Sequence, residues 1–205
     1  MEAQTVPVAF STAGGLVLRG HRWGAEKGWA LLVHDEGEDL DVWRPLVGEL
    51  IELGLCVLAF DLRGHGASDD PWEPRRAPSD VLAALRFARA EGARRLYLVG
   101  AGAGATAALA ASGRRKVEAL VLYSPRTELA GVSPEALRLA TAPKLIIVGS
   151  LDAPAAAAAS EVLRHAIGWA VLESPPVEAQ GTHLLASEWA EQVVEHTVDF
   201  LRDYL

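Results

Sequence analysis

The sequence predicts an α/β fold with a mostly parallel, twisted sheet of about eight strands and helices on both faces. From residue 29 onward, short apolar runs alternate with helical patterns, which is typical of successive βα units. Two N-terminal segments alternate in polarity across Gly14 and Gly15, which indicates an antiparallel hairpin at the sheet edge. We find no linker or internal repeat, so the 205 residues are expected to form a single domain, 1–205.

Each element follows from its local pattern. The predicted strands are residues 6–10, 16–22, 29–34, 55–60, 96–99, 119–123, 144–149 and 169–173. A first helix is expected over 42–53, where Gly54 ends it, and a second follows the caps Ser79 and Asp80 and runs to about Ala90. Alanines favour helix over 153–159, and a final helix over 187–204 has apolar residues at helical spacing.

Composition excludes several classes of protein. The formal net charge is −8 and the basic residues are scattered, so no nucleic-acid-binding surface is predicted. The N-terminus lacks a basic start followed by an apolar stretch, and no apolar run is long enough to span a membrane. We therefore expect a soluble, cytoplasmic protein. The single cysteine, Cys56, lies in an apolar strand and is expected to be buried and inert.

A glycine-rich turn, Gly100-Ala101-Gly102-Ala103-Gly104, connects an apolar strand to an alanine-rich helix. This is the context of a G-x-S-x-G nucleophile elbow, but Gly102 stands where the serine is expected. A glycine can neither attack a carbonyl nor form an acyl-enzyme. The same letters also fit a dinucleotide-binding fingerprint, but several strands precede the turn and the next strand ends without an acidic residue.

Four motifs together resemble the α/β-hydrolase family over nearly the whole chain. They are His34 with Gly37 and Trp43, the turn Asp61-Leu62-Arg63-Gly64-His65-Gly66-Ala67-Ser68, the elbow at Gly100–Gly104, and the strand from Pro143 that ends in Asp152. The resemblance implies the α/β-hydrolase fold. Only about 19 residues, 124–142, occupy the segment where the family inserts its lid, with one short helix (134–139) expected there. No cap domain is therefore expected.

The resemblance also implies an oxyanion hole, and one departure falls beside it. The backbone amides of Glu36 and Ala103 would form this hole, with His34 and Asp35 at the rim of the pocket. Asp35 replaces the glycine that usually follows this histidine. A carboxylate there opposes a developing oxyanion.

The position of the general base has two interpretations. His183 can be aligned as the base of a catalytic triad, with Asp152 as its acid. Alternatively, Gln180-Gly181-Thr182-His183-Leu184-Leu185 matches a family variant "HGTxLL" without a gap, and then Gln180 replaces the histidine. Asp152 also fits a helix N-cap, because a proline follows it in the first turn.

Other candidate groups carry less weight. The hydroxyls of Ser68, Thr106 and Ser112 are absent from the tip of the elbow, so none is expected to replace the nucleophile. The remaining histidines lack partners at metal-ligand spacing, so neither a metal nor a cofactor is predicted.

These observations lead to three hypotheses about function. The first is a non-catalytic or strongly impaired hydrolase homologue that binds a small apolar molecule or a protein partner. The second is a serine-independent enzyme in which His183 and Asp152 form a general base. The third is an engineered or natural variant of a carboxylic-ester hydrolase, which explains Gly102 but not Asp35 or Gln180.

Overall fold

The computed structural model describes residues 4–127, 129 and 138–205. Its centre is an eight-stranded sheet with the order β1-β2-β4-β3-β5-β6-β7-β8. The strands are β1 Val6–Ser11, β2 Val17–Trp23, β3 Gly28–Val33, β4 Cys56–Phe60, β5 Arg95–Ala101, β6 Ala119–Tyr123, β7 Lys144–Ile147 and β8 Ala170–Glu173. Strands β1 and β2 form the expected antiparallel hairpin, and β2 pairs antiparallel with β4. All other pairs are parallel, which confirms the predicted fold class.

Helices cover both faces of the sheet. Among the described residues they are α1 Arg44–Glu52, α2 Ala77–Ala90, α3 Gly102–Ser112, α4 Ala153–His165 and α5 Ala190–Arg202. Helices α2, α3 and α4 contribute to one buried apolar cluster, whereas α1 and α5 contribute to a second on the other face. The strands between these layers are apolar on both sides, as the sequence predicts for a parallel sheet.

The structure corrects one predicted cap and shifts two helix boundaries. Helix α2 begins at Ala77, so Ser79 and Asp80 lie inside it and do not cap it. Asp80 is fully buried and accepts a hydrogen bond of 2.9 Å from Nε of Arg63. Burial raises the pKa of Asp80, while the Arg63 guanidinium opposes that rise. The last helix begins at Ala190 rather than 187, and a 3-10 turn precedes α1.

Three further observations concern the sequence-based expectations. Cys56 is fully buried, and burial raises the pKa of its thiol to about 12. Among the helices in the described part of the chain, none combines the length and apolarity needed to cross a membrane. The short helix expected over 134–139 lies mostly outside the described residues.

The parallel strands fix where a site can form. The carboxyl ends of β3, β5, β6 and β7 lie along one edge of the sheet, since these strands are parallel neighbours. In open α/β sheets, ligands bind at this edge. The segments that follow these strands carry Asp35, Gly102, Arg126 and Asp152.

Candidate functional site

The turn between β5 and α3 has the backbone of an elbow. Gly102 is the first residue of α3 and has a φ of +51°, a left-handed conformation that costs other residues energy. Gly104 packs against the end of β3, where an added Cβ would lie 2.3 Å from the carbonyl oxygen of His34. Position 104 therefore requires glycine because a Cβ would overlap the backbone of β3 and His34. Position 102 favours glycine because its φ is positive.

The side chain of Asp35 lies directly in front of Gly102. A Cβ added to Gly102 would be 2.0 Å from Oδ2 of Asp35 and 2.3 Å from Oδ1. Both distances are far below van der Waals contact, so the carboxylate fills the space into which a side chain at 102 would project. The two departures that the sequence shows separately are in contact in the fold.

The same carboxylate accepts hydrogen bonds from both of the amides that the resemblance assigns to an oxyanion hole. Oδ1 of Asp35 is 2.7 Å from the amide nitrogen of Ala103 and 2.7 Å from that of Glu36. Ala103 lies in the first turn of α3, where amides lack partners within the helix and the helix dipole favours a negative charge. These two donors hold the Asp35 side chain against the start of α3.

Arg126 also donates to the Asp35 carboxylate, although no motif in the sequence identified it as a site residue. Its Nη2 lies 2.9 Å from Oδ1 and 3.0 Å from Oδ2 of Asp35, and its Nη1 lies 3.2 Å from Oε2 of Glu36. The side chain of Arg126 is 43% exposed, so solvent weakens these ion pairs. The one available signal was position, because Arg126 follows β6 at the same sheet edge as Asp35.

Thr106 positions the backbone of Arg126. Its hydroxyl oxygen accepts the Arg126 amide at 3.0 Å and lies 2.8 Å from the Arg126 carbonyl oxygen, to which it donates. The side chain of Thr106 is buried, one turn along α3 from Gly102. Of the three hydroxyls weighed as nucleophiles, Thr106 thus supports the arginine. Ser68 and Ser112 form hydrogen bonds to backbone carbonyls of their own turns.

Glu38 connects the loop after β3 to the segment that carries the candidate base. Its Oε2 accepts the amide of Asp35 at 3.0 Å, and its Oε1 accepts a hydrogen bond from the hydroxyl of Thr182. The amide of Gly181 in turn donates to Oγ of Ser124 at 2.9 Å. Loops after β3, β6 and β8 are therefore held together around the carboxylate.

His34 differs from its expected place at the pocket rim, because its ring is fully buried. Nε2 accepts the amide of Leu62 at 2.9 Å, so Nδ1 carries the proton and donates to the Asp35 carbonyl at 2.7 Å. Burial lowers the pKa of His34 and keeps the ring neutral. The His34 ring connects the loop after β3 to the loop after β4. Of His34 and Asp35, only Asp35 lies at the site. His65 similarly accepts the amide of Gly37 at 3.0 Å.

The predicted acid, Asp152, caps α4, and the predicted base, His183, is exposed. Oδ1 of Asp152 accepts the amide of Ala155 at 3.0 Å, which is the N-cap of α4. His183 is exposed on the 3-10 helix Gly181–Ala186, and no hydrogen bond among the described residues joins it to Asp152. Gln180 is the N-cap residue of that 3-10 helix. Within the described part of the chain, no three His, Cys, Asp or Glu side chains converge as a metal site.

Comparisons with known proteins agree with this architecture. A Pyrococcus furiosus esterase, Pf2001, has a TM-score of 0.84 at 18% identity, covering 98% of this chain and 93% of that one. A predicted CIB-like hydrolase from Thermoplasma acidophilum has a TM-score of 0.78 at 20% identity, covering 98% of this chain and 99% of that one. The enol-lactonase from Burkholderia xenovorans LB400 has a TM-score of 0.78 at 18% identity, covering 95% and 99%.

Identities this low establish the fold only, and no curated protein matches the sequence. The sequence model described as "Alpha/beta hydrolase family", in contrast, matches residues 8–202, almost the entire chain. Together with the strand order and the elbow between β5 and α3, this match shows that the protein belongs to the α/β-hydrolase family.

Proposed function

We propose that this protein keeps the α/β-hydrolase fold but has lost serine hydrolysis, and that it acts by binding a partner. The observation that carries the proposal is the carboxylate of Asp35 in front of Gly102, hydrogen-bonded to the amides of Ala103 and Glu36. One side chain thus occupies the space of the missing nucleophile and uses both donors of the hole.

Each of these losses is large on its own. Removing the nucleophile of a serine hydrolase lowers kcat by about 10⁶, and removing one oxyanion-hole donor costs about 10²–10³. In this site a carbonyl oxygen would also have to displace a carboxylate of the protein before it reached Ala103. A negative charge beside a developing oxyanion raises its energy further. Conventional ester hydrolysis therefore has neither its nucleophile nor its electrostatic support.

The base position supports the same proposal. A Cβ added to Gly181 would lie 3.8 Å from Oδ2 of Asp35, so the start of the 3-10 helix borders the site. Gln180 immediately precedes Gly181, which favours the gapless alignment in which a glutamine replaces the histidine. A glutamine amide cannot act as a general base near neutral pH. His183 is exposed and Asp152 caps α4, so little supports a His-Asp general base.

The chemistry around the site favours a protein partner over the small apolar ligand. Asp35, Glu36 and Arg126 form an ion-paired cluster there, and Glu36 and Arg126 are both more than two-fifths exposed. Burying such charges under an apolar molecule would leave them poorly solvated. A polar protein surface can replace the lost water with hydrogen bonds.

A rescue series tests the loss of hydrolysis. Because the solved neighbours include an esterase and an enol-lactonase, p-nitrophenyl acetate is a suitable substrate. We expect background rates for the unmodified protein and for Gly102→Ser, whose new side chain overlaps Asp35. Hydrolysis is expected to rise only when Asp35→Gly, Gly102→Ser and Gln180→His are combined.

The control is His183→Ala in the unmodified and triple-variant backgrounds. We expect it to leave both rates unchanged, because His183 is exposed and is replaced as base by the histidine introduced at 180. The proposal is wrong if the unmodified protein turns over the ester at rates ordinary for enzymes, about 1–10³ s⁻¹. Loss of such turnover in His183→Ala would then favour the serine-independent enzyme.

A further inference from the structure

Two of the donors around Asp35, the Ala103 amide and Arg126, are also held by contacts that do not involve Asp35. The Ala103 amide is fixed by α3, and the Arg126 backbone is held by Thr106. The guanidinium of Arg126 is also paired with Glu36, whose Oε1 accepts a hydrogen bond of 2.6 Å from the Trp72 indole. Donors held this way keep their direction when the group that they bind is removed.

Their arrangement matches a carboxylate. The amides of Ala103 and Glu36 both donate to Oδ1 of Asp35, and Nη2 of Arg126 donates to Oδ2 and lies 2.9 Å from Oδ1. An arginine that contacts both oxygens and amides that contact one are typical of carboxylate recognition. The side chain of Asp35 is 20% exposed, so the site opens to solvent on the side of Arg126.

We propose that these donors form a binding site for a small carboxylate, and that Asp35 is its resident ligand within the chain. The inference rests on the proposed loss of serine catalysis, since the same amides would otherwise serve a reacting carbonyl. In the unmodified protein Asp35 occupies the site at a high effective concentration and excludes free carboxylates. Removing its carboxylate frees these donors for the carboxylate of acetate or formate.

Two other acidic side chains face this site. Glu38 is already bonded to the Asp35 amide and to Thr182, so its carboxylate is held away. Glu36 is bound through Arg126 and Trp72, and its pairing with Arg126 brings it close enough to compete for the vacated donors. A test must therefore include a variant in which Glu36 is neutral.

The experiment titrates acetate into Asp35→Ala and follows the Ala103 amide by ¹H–¹⁵N NMR, with sodium chloride titrated in parallel to match ionic strength. We expect a saturable shift with a Kd of roughly 1–10 mM, in line with the small size of acetate. The shift is expected to be absent in the unmodified protein and in Asp35→Asn, whose amide keeps the site filled. The affinity for acetate is also expected to fall at least tenfold when Arg126→Gln is added to Asp35→Ala.

The double variant Asp35→Ala with Glu36→Gln distinguishes a site that the Glu36 carboxylate has filled from the absence of any site. Binding in this double variant alone supports the inference, with Glu36 as a second internal competitor. A second measurement is the midpoint of thermal unfolding, which acetate should raise in the variants that bind it and not in Asp35→Asn. The inference is overturned if neither variant binds acetate, or if the unmodified protein binds it equally well. Since the readout is binding, a failure here leaves the proposed loss of hydrolysis standing.

Discussion

The contact between Gly102 and Asp35 makes a quantitative prediction about stability. Replacing Gly102 by alanine adds a Cβ 2.0 Å from Oδ2 of Asp35, so the carboxylate must leave its position. The departure removes two charged hydrogen bonds, from Ala103 and Glu36, each worth about 1.5–3 kcal/mol. The φ of +51° adds about 1 kcal/mol of strain. The partly exposed Arg126 pair adds about 1 kcal/mol at most.

We therefore expect Gly102→Ala to lower the free energy of unfolding by about 3–5 kcal/mol, after solvent and side-chain relaxation recover part of the loss. In the Asp35→Ala background, only the strain of about 1 kcal/mol should remain. The coupling between the two substitutions is then about 2–4 kcal/mol, well above the ~0.5 kcal/mol within which independent sites add. Equilibrium urea unfolding at pH 7, followed by circular dichroism, measures all four proteins of the cycle.

Gly54→Ala provides the matched control. Gly54 has a φ of +87°, and a Cβ added there meets no atom within 4 Å, so only conformational strain is introduced. We expect a loss of about 1 kcal/mol that is additive with Asp35→Ala. A loss in Gly102→Ala no larger than that in Gly54→Ala, or one that adds independently to Asp35→Ala, would refute a contact between Asp35 and position 102.

Two further predictions concern single side chains. Burial lowers the pKa of Lys144 from 10.5 to about 8, so the unfolded chain binds more protons than the folded one between these values. The stability of the unmodified protein relative to Lys144→Met should therefore rise by up to about 3 kcal/mol between pH 8 and 10.5, and a difference that stays constant with pH would contradict this. Asp152→Ala should lose about 1 kcal/mol of stability through the α4 cap, whereas Asp152→Asn, which keeps an acceptor for Ala155, should lose less than about 0.5 kcal/mol. Equal losses in urea unfolding would show that the cap is not the cause.

The strands were the most predictable part of the fold. Strand β6, Ala119–Tyr123, has the predicted bounds, because five consecutive apolar residues between turns identify a buried parallel strand. The start of α2 was wrong for a tertiary reason. Asp80 has the local pattern of a cap, but its carboxylate is buried against Arg63, 17 positions earlier in the chain. A local pattern cannot show that a cation distant in sequence will offset the energetic cost of burying this carboxylate.

The site was predicted as separate residues and not as a cluster. Gly102 and Asp35 were each visible as a departure from a motif, but the contact between their neighbourhoods spans 68 positions, from Asp35 to Ala103. Arg126 lies 91 positions from Asp35 and has no motif around it, so only the fold brings it to the carboxylate. Sequence motifs identify the backbone that builds this sheet edge, whereas side-chain pairing across loops depends on the completed sheet.

Under the proposed loss of serine hydrolysis, the geometry also orders the changes at this site. A serine at 102 beside Asp35 would place its Cβ 2.0 Å from a carboxylate oxygen, whereas glycine at both positions leaves the space open. If the positions change one at a time, the loss of the serine must precede the arrival of Asp35, because the opposite order passes through an overlapping pair. Restoring the site must run in reverse, with Asp35 removed first. An inactive Gly102→Ser variant is therefore the expected result, and says nothing about the remaining machinery until the carboxylate in front of it is gone.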